Sequence, residues 1–294
     1  MAIPETQLET WSHQGSIMQS SQTYNLIKDV LEASKTPYAG KKFKVFLQGS
    51  YGNATNIYAE SDVDIVICLS DCFQSDLSNL SEAEKAAYKK AFVDATYTHV
   101  NFKQDVLSVL TNQYGSAVIK GNKAIAITAS NSRRKVDVIV AIESRRYFKF
   151  NSPGDSQYAK GICFRNTAGE IIVNYPQQHS ENMTAKHHQV SSQFKPIVRV
   201  FKNMRSRLVS DRLIERDVAP SYYIEGLLYN VPIDKFTPNY QDCVVNVLNW
   251  YRSEAKNNNL ICANAQYDLL KCWPQANCDA FIDATVSLWG NWSM

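Results

Sequence analysis

Two aspartates interrupt an apolar segment twelve residues after the pair Gly49-Ser50. Asp62 and Asp64 flank Val63 at the start of the β-branched run at 63–69. Successive side chains on a strand point to opposite faces, so the two carboxylates share one face and the apolar side chains share the other. Charged groups in an apolar strand are costly unless they are paired or bind a metal ion. The pattern therefore predicts a strand that carries a functional site.

The pair Gly49-Ser50 follows a second predicted strand, at residues 44–48. Residues 50–57 are long enough for about two helical turns, and the free N–H groups at a helix start suit a phosphate. Gly49 lets the backbone approach a ligand closely, and the Ser50 hydroxyl can donate to a phosphate oxygen. A lone Gly-Ser is usually a turn and a lone Asp-x-Asp a solvated strand end. Their combination at this spacing favours a nucleotide site.

A third aspartate repeats the anomaly. Asp137 is the only acid in the apolar run at 135–142, which predicts another strand. Three aspartates from adjacent strands can hold two hard cations that clamp the attacking and leaving oxygens of a phosphoryl transfer. The third acid can also accept the proton of an attacking hydroxyl. Taken alone, Asp137 is equally well explained as an edge-strand acid paired with Arg133 or Arg134.

Together, Gly49-Ser50, Asp62-x-Asp64 and Asp137 resemble the DNA polymerase β-like nucleotidyltransferase superfamily. Three stretches resemble, more narrowly, the bacterial CD-NTases, which are cyclic GMP-AMP synthase/DncV-like enzymes that make cyclic oligonucleotide signals in antiphage defence: residues 48–56, 174–179 and 220–232. The resemblance covers nearly the whole chain. It implies an α/β (α+β) fold, with a mixed-sheet nucleotidyltransferase core and a mainly helical C-terminal lobe that closes the active site.

The hydrophobic periodicity agrees with that organisation. It predicts a helix at 16–34, helices between about 81 and 113, and a mostly helical chain from Pro176 onward. The remaining predicted strands lie near 123–129, 160–165 and 170–174. We therefore expect two domains: a catalytic lobe at 1–150, which includes the long N-terminal helix, and a helical nucleotide-binding lid at 151–294.

In the helical half, a basic stripe lies on one face of the predicted helix at 193–205. The helical period places Lys195, Arg199 and Lys202 on that face. On its own, such a stripe is more often an ordinary exposed face. The resemblance implies that Lys202 holds the triphosphate, and that Gln48, just before Gly49, also belongs to the nucleotide site.

Ser221 and Tyr222 follow Pro220, which is a good helix-start signal. The family pattern implies that Ser221 hydrogen-bonds a phosphate and that the Tyr222 ring stacks on the base. Such stacking contributes about 1–3 kcal/mol per base. From the residues alone, a capping serine and a core tyrosine fit equally well.

Asn166 is our candidate for base selection. It lies in a predicted strand-and-turn segment, and an amide can pair with a base edge through two hydrogen bonds. We hypothesise that Asn166 reads the base and favours uracil. A turn asparagine is an equally good interpretation of this residue.

The predicted activity is Mg²⁺-dependent joining of nucleoside triphosphates, such as ATP and UTP, into a cyclic di- or oligonucleotide with release of pyrophosphate. Two Mg²⁺ ions are expected, and Mn²⁺ is an expected substitute. Two alternatives from the same superfamily stay open: a linear oligonucleotide synthase, and a transferase that nucleotidylates a small molecule or protein. The third alternative is a catalytically dead nucleotide- or RNA-binding module, which the presence of all three aspartates disfavours.

Composition limits the partners. The 294 residues include 31 Lys and Arg against 28 acids, a net charge of +3, so we expect no large nucleic-acid platform. Seven scattered cysteines without a Cys-x-x-Cys pair support neither a disulfide framework nor structural zinc. No signal peptide and no run of about 18 apolar residues is evident. We expect a cytoplasmic monomer whose partners are nucleoside triphosphates and downstream effector or regulatory proteins.

Overall fold

The computed structural model describes residues 2–15, 17–58, 62–255 and 259–292. The helices are α1 (Glu5–Ser12), α2 (Met18–Leu31), α3 (Gly49–Gly52), α4 (Glu82–Ala91), α5 (His99–Tyr114), α6 (Pro176–Gln189), α7 (Phe194–Ser210), α8 (Ser221–Tyr229), α9 (Tyr240–Ser253), α10 (Leu269–Cys272) and α11 (Gln275–Gly290). The strands are β1 (Phe43–Leu47), β2 (Val63–Asp76), β3 (Val118–Lys120), β4 (Ile125–Ile127), β5 (Val136–Ser152), β6 (Asp155–Arg165) and β7 (Ile171–Asn174).

The chain forms two compact units, each assembled from separate stretches. The helical unit comprises Met1–Ile17, Gly49–Ser61 and Gln177–Met294, and the sheet unit comprises Met18–Gln48 and Asp62–Pro176. This division differs from the predicted domains at 1–150 and 151–294. The expected boundary after residue 150 falls inside β5. Because β5 pairs with β6, which ends at Arg165, residues up to 165 belong to the sheet.

The sheet unit contains one mixed sheet, as predicted. Its strand order is β1-β2-β5-β4-β3, with β6 paired to β5 and β7 paired to β6. Strands β2 and β5 are parallel, whereas the other pairs are antiparallel. The predicted strands are confirmed, and β2 and β5 continue well beyond their apolar starts. The two long strands place the predicted aspartates at the centre of the sheet.

Helices α2 and α5 pack against this sheet. Helix α5 buries Phe102, Val106 and Leu110, which are spaced four residues apart and so lie on one helical face. Helix α2 buries Ile27 and Leu31 in the same way. The predicted N-terminal helix is therefore confirmed over Met18–Leu31, while Ser16 at its expected start lies outside the described residues.

The helical unit is built around α7 and α8. Six consecutive residues of α8, Tyr223 to Leu228, are buried, so this helix is enclosed on all sides. A Cβ atom at Gly226 would lie 2.7 Å from Leu269 Cδ1, which explains a glycine in the middle of the helix. The predicted helical character of the chain after Pro176 is confirmed. Among the helices in the described ranges, none is both long and apolar enough to span a membrane.

Candidate active site

The three predicted carboxylates lie on one face of the sheet. Asp64 of β2 and Asp137 of β5 are direct register partners in the parallel strand pair, and Asp62 precedes Asp64 by two residues. Register partners in a sheet point to the same face, as do residues two apart on one strand. Sequence reasoning therefore placed these carboxylates correctly relative to one another.

Apolar side chains on the opposite face fix these strands in place. Val63 and Ile65 of β2, and Val136 and Val138 of β5, are fully buried. At the start of each strand a partly exposed aspartate stands between two buried apolar residues, so a slip of one residue would bury the aspartates. The buried valines and isoleucine thus present the carboxylates at the accessible face.

Lys135 pairs with two of the carboxylates. Its Nζ lies 2.5 Å from Asp62 Oδ2 and 3.6 Å from Asp137 Oδ2. The hydrogen bond to Asp62 is the main cause of a raised pKa for Lys135. Arg133, one of the partners considered for Asp137, donates instead to the Thr128 carbonyl oxygen at 2.8 Å. Lys135 was not among the predicted site residues. Its position two residues before Asp137 is the sequence signal that could have identified it.

The donor set fits a hard divalent cation. Carboxylate oxygens are ligands of Mg²⁺ and Mn²⁺, while structural zinc sites usually use cysteine and histidine. Within the described ranges, no three His, Cys, Asp or Glu side chains are grouped so as to hold one metal ion together. The Lys135 ammonium lies between Asp62 and Asp137 and contacts both carboxylates.

The Gly49-Ser50 turn differs from its prediction in length. Helix α3 is a single turn of four residues, not two turns, because Ala54 adopts a left-handed φ of 56° soon after it. Gly49 also has a positive φ, 66°, which explains the need for glycine. So short a helix has little dipole, and a phosphate here would depend on the local N–H groups and the Ser50 hydroxyl.

The segment after this turn is held by buried polar contacts in the helical unit. Thr55 and Asn56 are fully buried. Lys202 Nζ donates to the Thr55 carbonyl oxygen at 2.9 Å, and Arg199 donates to the carbonyl oxygen of Ala54. The backbone that follows Ser50 is therefore fixed by two cations of α7.

The basic stripe predicted on α7 does not form an exposed face. Lys202 is fully buried, Arg199 is partly buried, and Lys195 Nζ donates to Thr184 Oγ1 at 3.1 Å. The periodicity placed these residues on one face correctly but could not show which part of the chain covers it. Direct contact of Lys202 with a triphosphate stays a prediction, and the observed contact positions the segment after Ser50.

Ser221 and Tyr222 begin α8, as predicted. The N-cap position of α8 falls on Pro220, and Ser221 is the first residue of the helix. Ser221 lines an open pocket of about 390 Å³ with Arg205, Arg216, Asp217 and Pro220. Tyr222 stacks on His179 with 4.6 Å between ring centroids and 17° between ring planes. Its hydroxyl accepts a hydrogen bond from Asn264 Nδ2 at 2.7 Å. The ring is thus held in one orientation.

Gln48 and Asn166 lie in the sheet unit. Gln48 N–H donates to the Asp64 carbonyl oxygen at 2.9 Å, which places Gln48 beside β2. Asn166 lies in the turn between β6 and β7, where Nδ2 donates to Glu170 Oε2 at 2.6 Å and Oδ1 accepts from Glu170 N–H at 2.9 Å. The turn role left open for Asn166 is therefore filled, and base reading by this residue stays a prediction.

A mixed sheet with three aspartates on one face of two central parallel strands, preceded by a Gly-Ser turn, defines a nucleotidyltransferase of the DNA polymerase β-like class. The chain matches the model of the cGAS/DncV-like nucleotidyltransferase C-terminal helical domain at residues 181–290.

Two curated relatives match most of the chain. The cyclic nucleotide synthase CdnE01 of Staphylococcus haemolyticus is 36% identical over 302 residues, covering 99% of this chain and 100% of the relative. A cyclic dipurine nucleotide synthase of Elizabethkingia meningoseptica is 34% identical over 259 residues, covering 88% and 87%.

The whole fold matches that of solved structures, among them a relative from Rhodothermus marinus. The Rhodothermus marinus CdnE c-UMP-AMP synthase, solved with Apcpp and Upnpp, superposes with a TM-score of 0.87 at 35% identity, covering 99% of this chain and 98% of that one. The chain belongs to the bacterial CD-NTase family of nucleotidyltransferases. The predicted family and fold are confirmed.

Proposed function

We propose that this protein joins two nucleoside triphosphates, one of them UTP, into a cyclic dinucleotide and releases one pyrophosphate for each bond formed. The observation that carries the proposal is the pairing of Asp64 with Asp137 in register, next to Asp62, in a chain related over its full length to cyclic nucleotide synthases. Each bond forms when a ribose hydroxyl oxygen attacks an α-phosphorus and the bond to pyrophosphate breaks.

The carboxylates have two roles in this proposal. Asp62, Asp64 and Asp137 would hold two Mg²⁺ ions, which, when bound, neutralise the negative charge on the reacting phosphates. Asp137, the single acid on β5, accepts the proton of the attacking hydroxyl. Its carboxylate is 30% exposed, so it is accessible to a substrate hydroxyl.

The helical unit binds the nucleotide in this proposal. Ser50 and Ser221 donate their hydroxyl hydrogens to phosphate oxygens, and Tyr222 presents a ring for base stacking. Stacking on one face of Tyr222 by His179 restricts the ring before a base arrives, and less entropy is then lost on binding. Arg205 and Arg216 line the same pocket as Ser221 and favour a polyanion there.

Base choice is the finest part of the proposal. The relatives differ in this respect, since one is named for UMP and AMP and another for two purines. Asn166 is our candidate for reading uracil, and for this its amide must exchange Glu170 for the base edge. Replacing Asn166 with Ser should shift the product toward purines, and unchanged base preference would remove Asn166 from the site. Glu170→Ala is the matched control, because it removes the side-chain acceptor of the Asn166 amide while Asn166 itself is kept.

One experiment tests the reaction class. The purified protein is incubated with each labelled nucleoside triphosphate, alone and in mixtures, with Mg²⁺ or Mn²⁺. The products are then digested with phosphatase and identified by mass spectrometry. A phosphatase-resistant product containing uridine and a second base supports the proposal. A product with a phosphatase-sensitive end indicates a linear oligonucleotide, and label attached to another acceptor indicates a nucleotidylating transferase.

The proposal extends to a signalling role. In this extension the cyclic product acts in bacterial antiphage defence through a downstream effector protein, which is what the family resemblance implies. Bacteria that carry the gene in its native genomic context should resist phage with the wild-type chain and lose that resistance with Asp64→Asn. Equal plaque numbers on the two strains would contradict the signalling role.

A further inference from the structure

Three buried polar residues of the helical unit form a continuous chain of contacts, called here the Glu225 bridge: Thr55, Glu225 and His179. Thr55 Oγ1 donates to Glu225 Oε1 at 2.6 Å. Glu225 Oε2 lies 2.8 Å from His179 Nε2. Glu225 and His179 are each 3% exposed, and Thr55 is fully buried. Water therefore has almost no access to these contacts.

Glu225 is held in its charged form. Burial by itself raises the pKa of a carboxyl group, but the hydrogen bond and charge of His179, the charge of Lys202 and the hydrogen bond from Thr55 together bring the pKa of Glu225 below its usual value. A carboxylate can only accept hydrogen bonds, so His179 Nε2 carries a proton and donates it. The ammonium of Lys202 is itself buried on the carbonyl oxygen of Thr55.

A structural role alone explains this arrangement poorly. Replacement of a buried ionic group by well-packed apolar residues is often neutral or stabilising. Glu225 is also the only charged residue in α8, whose following residues Gly226, Leu227 and Leu228 are all buried. A buried carboxylate at this position therefore calls for a function besides packing.

The two ends of the Glu225 bridge indicate that function. Thr55 N–H donates to the carbonyl oxygen of Ser50 at 2.9 Å, so the Thr55 end reaches the Gly49-Ser50 turn directly. At the other end, the His179 ring stacks on Tyr222. Tyr222 and Glu225 are three residues apart on α8, so both face His179. The bridge therefore connects a proposed phosphate contact with the proposed base contact.

The members of the bridge come from the three stretches that distinguish this chain within its superfamily. Thr55 lies in 48–56, His179 in 174–179 and Glu225 in 220–232. These stretches are far apart in sequence, and in the structure each contributes one residue to the same buried chain of contacts.

We propose that Glu225 and His179 are positioning residues, which hold the Gly49-Ser50 turn and the Tyr222 ring in one fixed arrangement so that the phosphates and the base of a nucleoside triphosphate bind together. This inference rests on the proposed function. Neither residue touches the nucleotide, and both act through Thr55 and Tyr222. Their loss should weaken nucleotide binding more than the chemical step.

Two substitutions cut the bridge at different points while preserving shape. Thr55→Val removes the hydroxyl that donates to Glu225, and His179→Phe keeps a ring on Tyr222 but removes the hydrogen bond to Glu225. Thr285→Val is the matched control, because Thr285 is also fully buried in the helical unit and its Oγ1 donates at 2.7 Å to the carbonyl oxygen of Phe281. The two variants cut the bridge, and the control leaves it intact.

The measurements are Kd for nonhydrolysable ATP and UTP analogues by calorimetry, KM and kcat for product formation, and Tm by circular dichroism. We expect Thr55→Val and His179→Phe each to raise Kd and KM about tenfold, since each removes a hydrogen bond to a charged group. The value of kcat should change less than about threefold. Thr285→Val should lower Tm and leave Kd unchanged.

A double variant tests whether the bridge acts as a unit. Combining Thr55→Val with His179→Phe should raise Kd little further than either change alone, because the second cut removes a link that the first has already broken. Independent contributions would multiply to about a hundredfold. A hundredfold effect, or an unchanged Kd in both single variants, would overturn the positioning role.

Failure of the proposed function gives a different result. Wild-type protein that binds both analogues but makes no cyclic product would overturn the proposed reaction, and the Kd comparison among variants would still decide the positioning role. Wild-type protein that binds neither analogue would overturn both. Glu225→Gln is the direct variant, and Thr55→Val keeps the test decisive if that variant fails to fold.

Discussion

The candidate catalytic carboxylates of the sheet unit and Glu225 of the helical unit are held in opposite ways. In the sheet unit, the Asp62 and Asp137 side chains are 43% and 30% exposed and share the Lys135 ammonium. In the helical unit, Glu225 is 3% exposed and pairs with residues that are equally buried. The exposed carboxylates can exchange their partner for a ligand, whereas the buried carboxylate can serve only as a fixed support.

The energies differ accordingly. An exposed ion pair contributes about 0–1 kcal/mol to folding stability, whereas removal of one partner from a buried pair costs about 3–5 kcal/mol. Substitutions of the exposed aspartates should therefore change activity with little effect on stability. Substitutions of the Glu225 bridge should change both.

The largest expected effect is on catalysis. Asp64→Asn should reduce cyclic product at least about 10²-fold, because a neutral amide binds a divalent cation poorly and charge neutralisation at the phosphates is lost. Its Tm should stay close to wild type. The matched control is Asp71→Asn on the same strand, where the carboxylate accepts a hydrogen bond only from Lys42 N–H at 2.9 Å. Full activity in Asp64→Asn would contradict the metal assignment.

The largest expected effect on stability comes from the Glu225 bridge. Glu225→Ala should lower the free energy of unfolding by about 3–5 kcal/mol at pH 7, since it removes the buried carboxylate that Thr55 and His179 contact and whose charge offsets the buried Lys202 ammonium. Urea denaturation of the wild-type and variant proteins measures the difference. A loss below about 1 kcal/mol would show that the buried site relaxes and admits water.

The difference in stability between the wild type and Glu225→Ala should depend on pH. The pKa of Glu225 in the folded protein is lower than its ordinary value of 4.5, so its stabilising effect is fully present above pH 4.5 and is lost as pH falls through the folded value. The difference between wild type and Glu225→Ala should therefore shrink below pH 4.5. A difference that stays constant down to acid unfolding would contradict a charged Glu225.

His187 is partly buried, and its titration should have an intermediate effect on folding stability. Burial, together with the charges of Lys195, His188 and Arg199, lowers the pKa of His187 from 6.5 to about 4. The unfolded chain therefore binds more protons between those values, and stability should rise with pH from about 4 to 6.5. His187→Gln should flatten part of that slope in urea denaturation, and an unchanged slope would contradict a neutral His187. His188→Gln is the control.

The smallest expected effect concerns Lys135. Lys135→Met should lower the half-saturating Mg²⁺ concentration by at most about fivefold, because it removes a cation that competes for Asp62 and Asp137. Titration of product formation with Mg²⁺ measures this shift. Lys149→Met removes a similar exposed pair, 2.9 Å from Asp155, and should leave the Mg²⁺ titration unchanged. A higher Mg²⁺ requirement in Lys135→Met would contradict competition.

Sequence reasoning succeeded where the signal was local. The alternation of apolar residues around Asp64 and Asp137 predicted two strands and their shared face, and the register confirmed it. It failed for the domain division, because β5 continues past residue 150 and pairs beyond it. The length of α3 was also invisible, since alanine seldom adopts the left-handed φ that Ala54 has here.

The other differences between prediction and structure arise from burial by parts of the chain that are distant in sequence. The helical period placed Lys202 on one face of α7, but only the fold shows that the segment containing Thr55 covers that face. Glu225 was not among the predicted site residues, although the sequence marks it as unusual. It is a single acid in an otherwise uncharged helix, which is the same anomaly that identified Asp137 in its strand.

The interleaving of the two units limits how this protein can be dissected. The backbone passes between them after residues 17, 48, 61 and 176, so no continuous fragment contains all of one unit without residues of the other. A fragment of residues 177–294 would lack Thr55 and the carbonyl oxygen on which Lys202 rests. Truncation would therefore yield fragments with unpaired buried charges. The helical unit could be separated from this chain only by circular permutation or by rejoining the segment at 49–61 through a new linker.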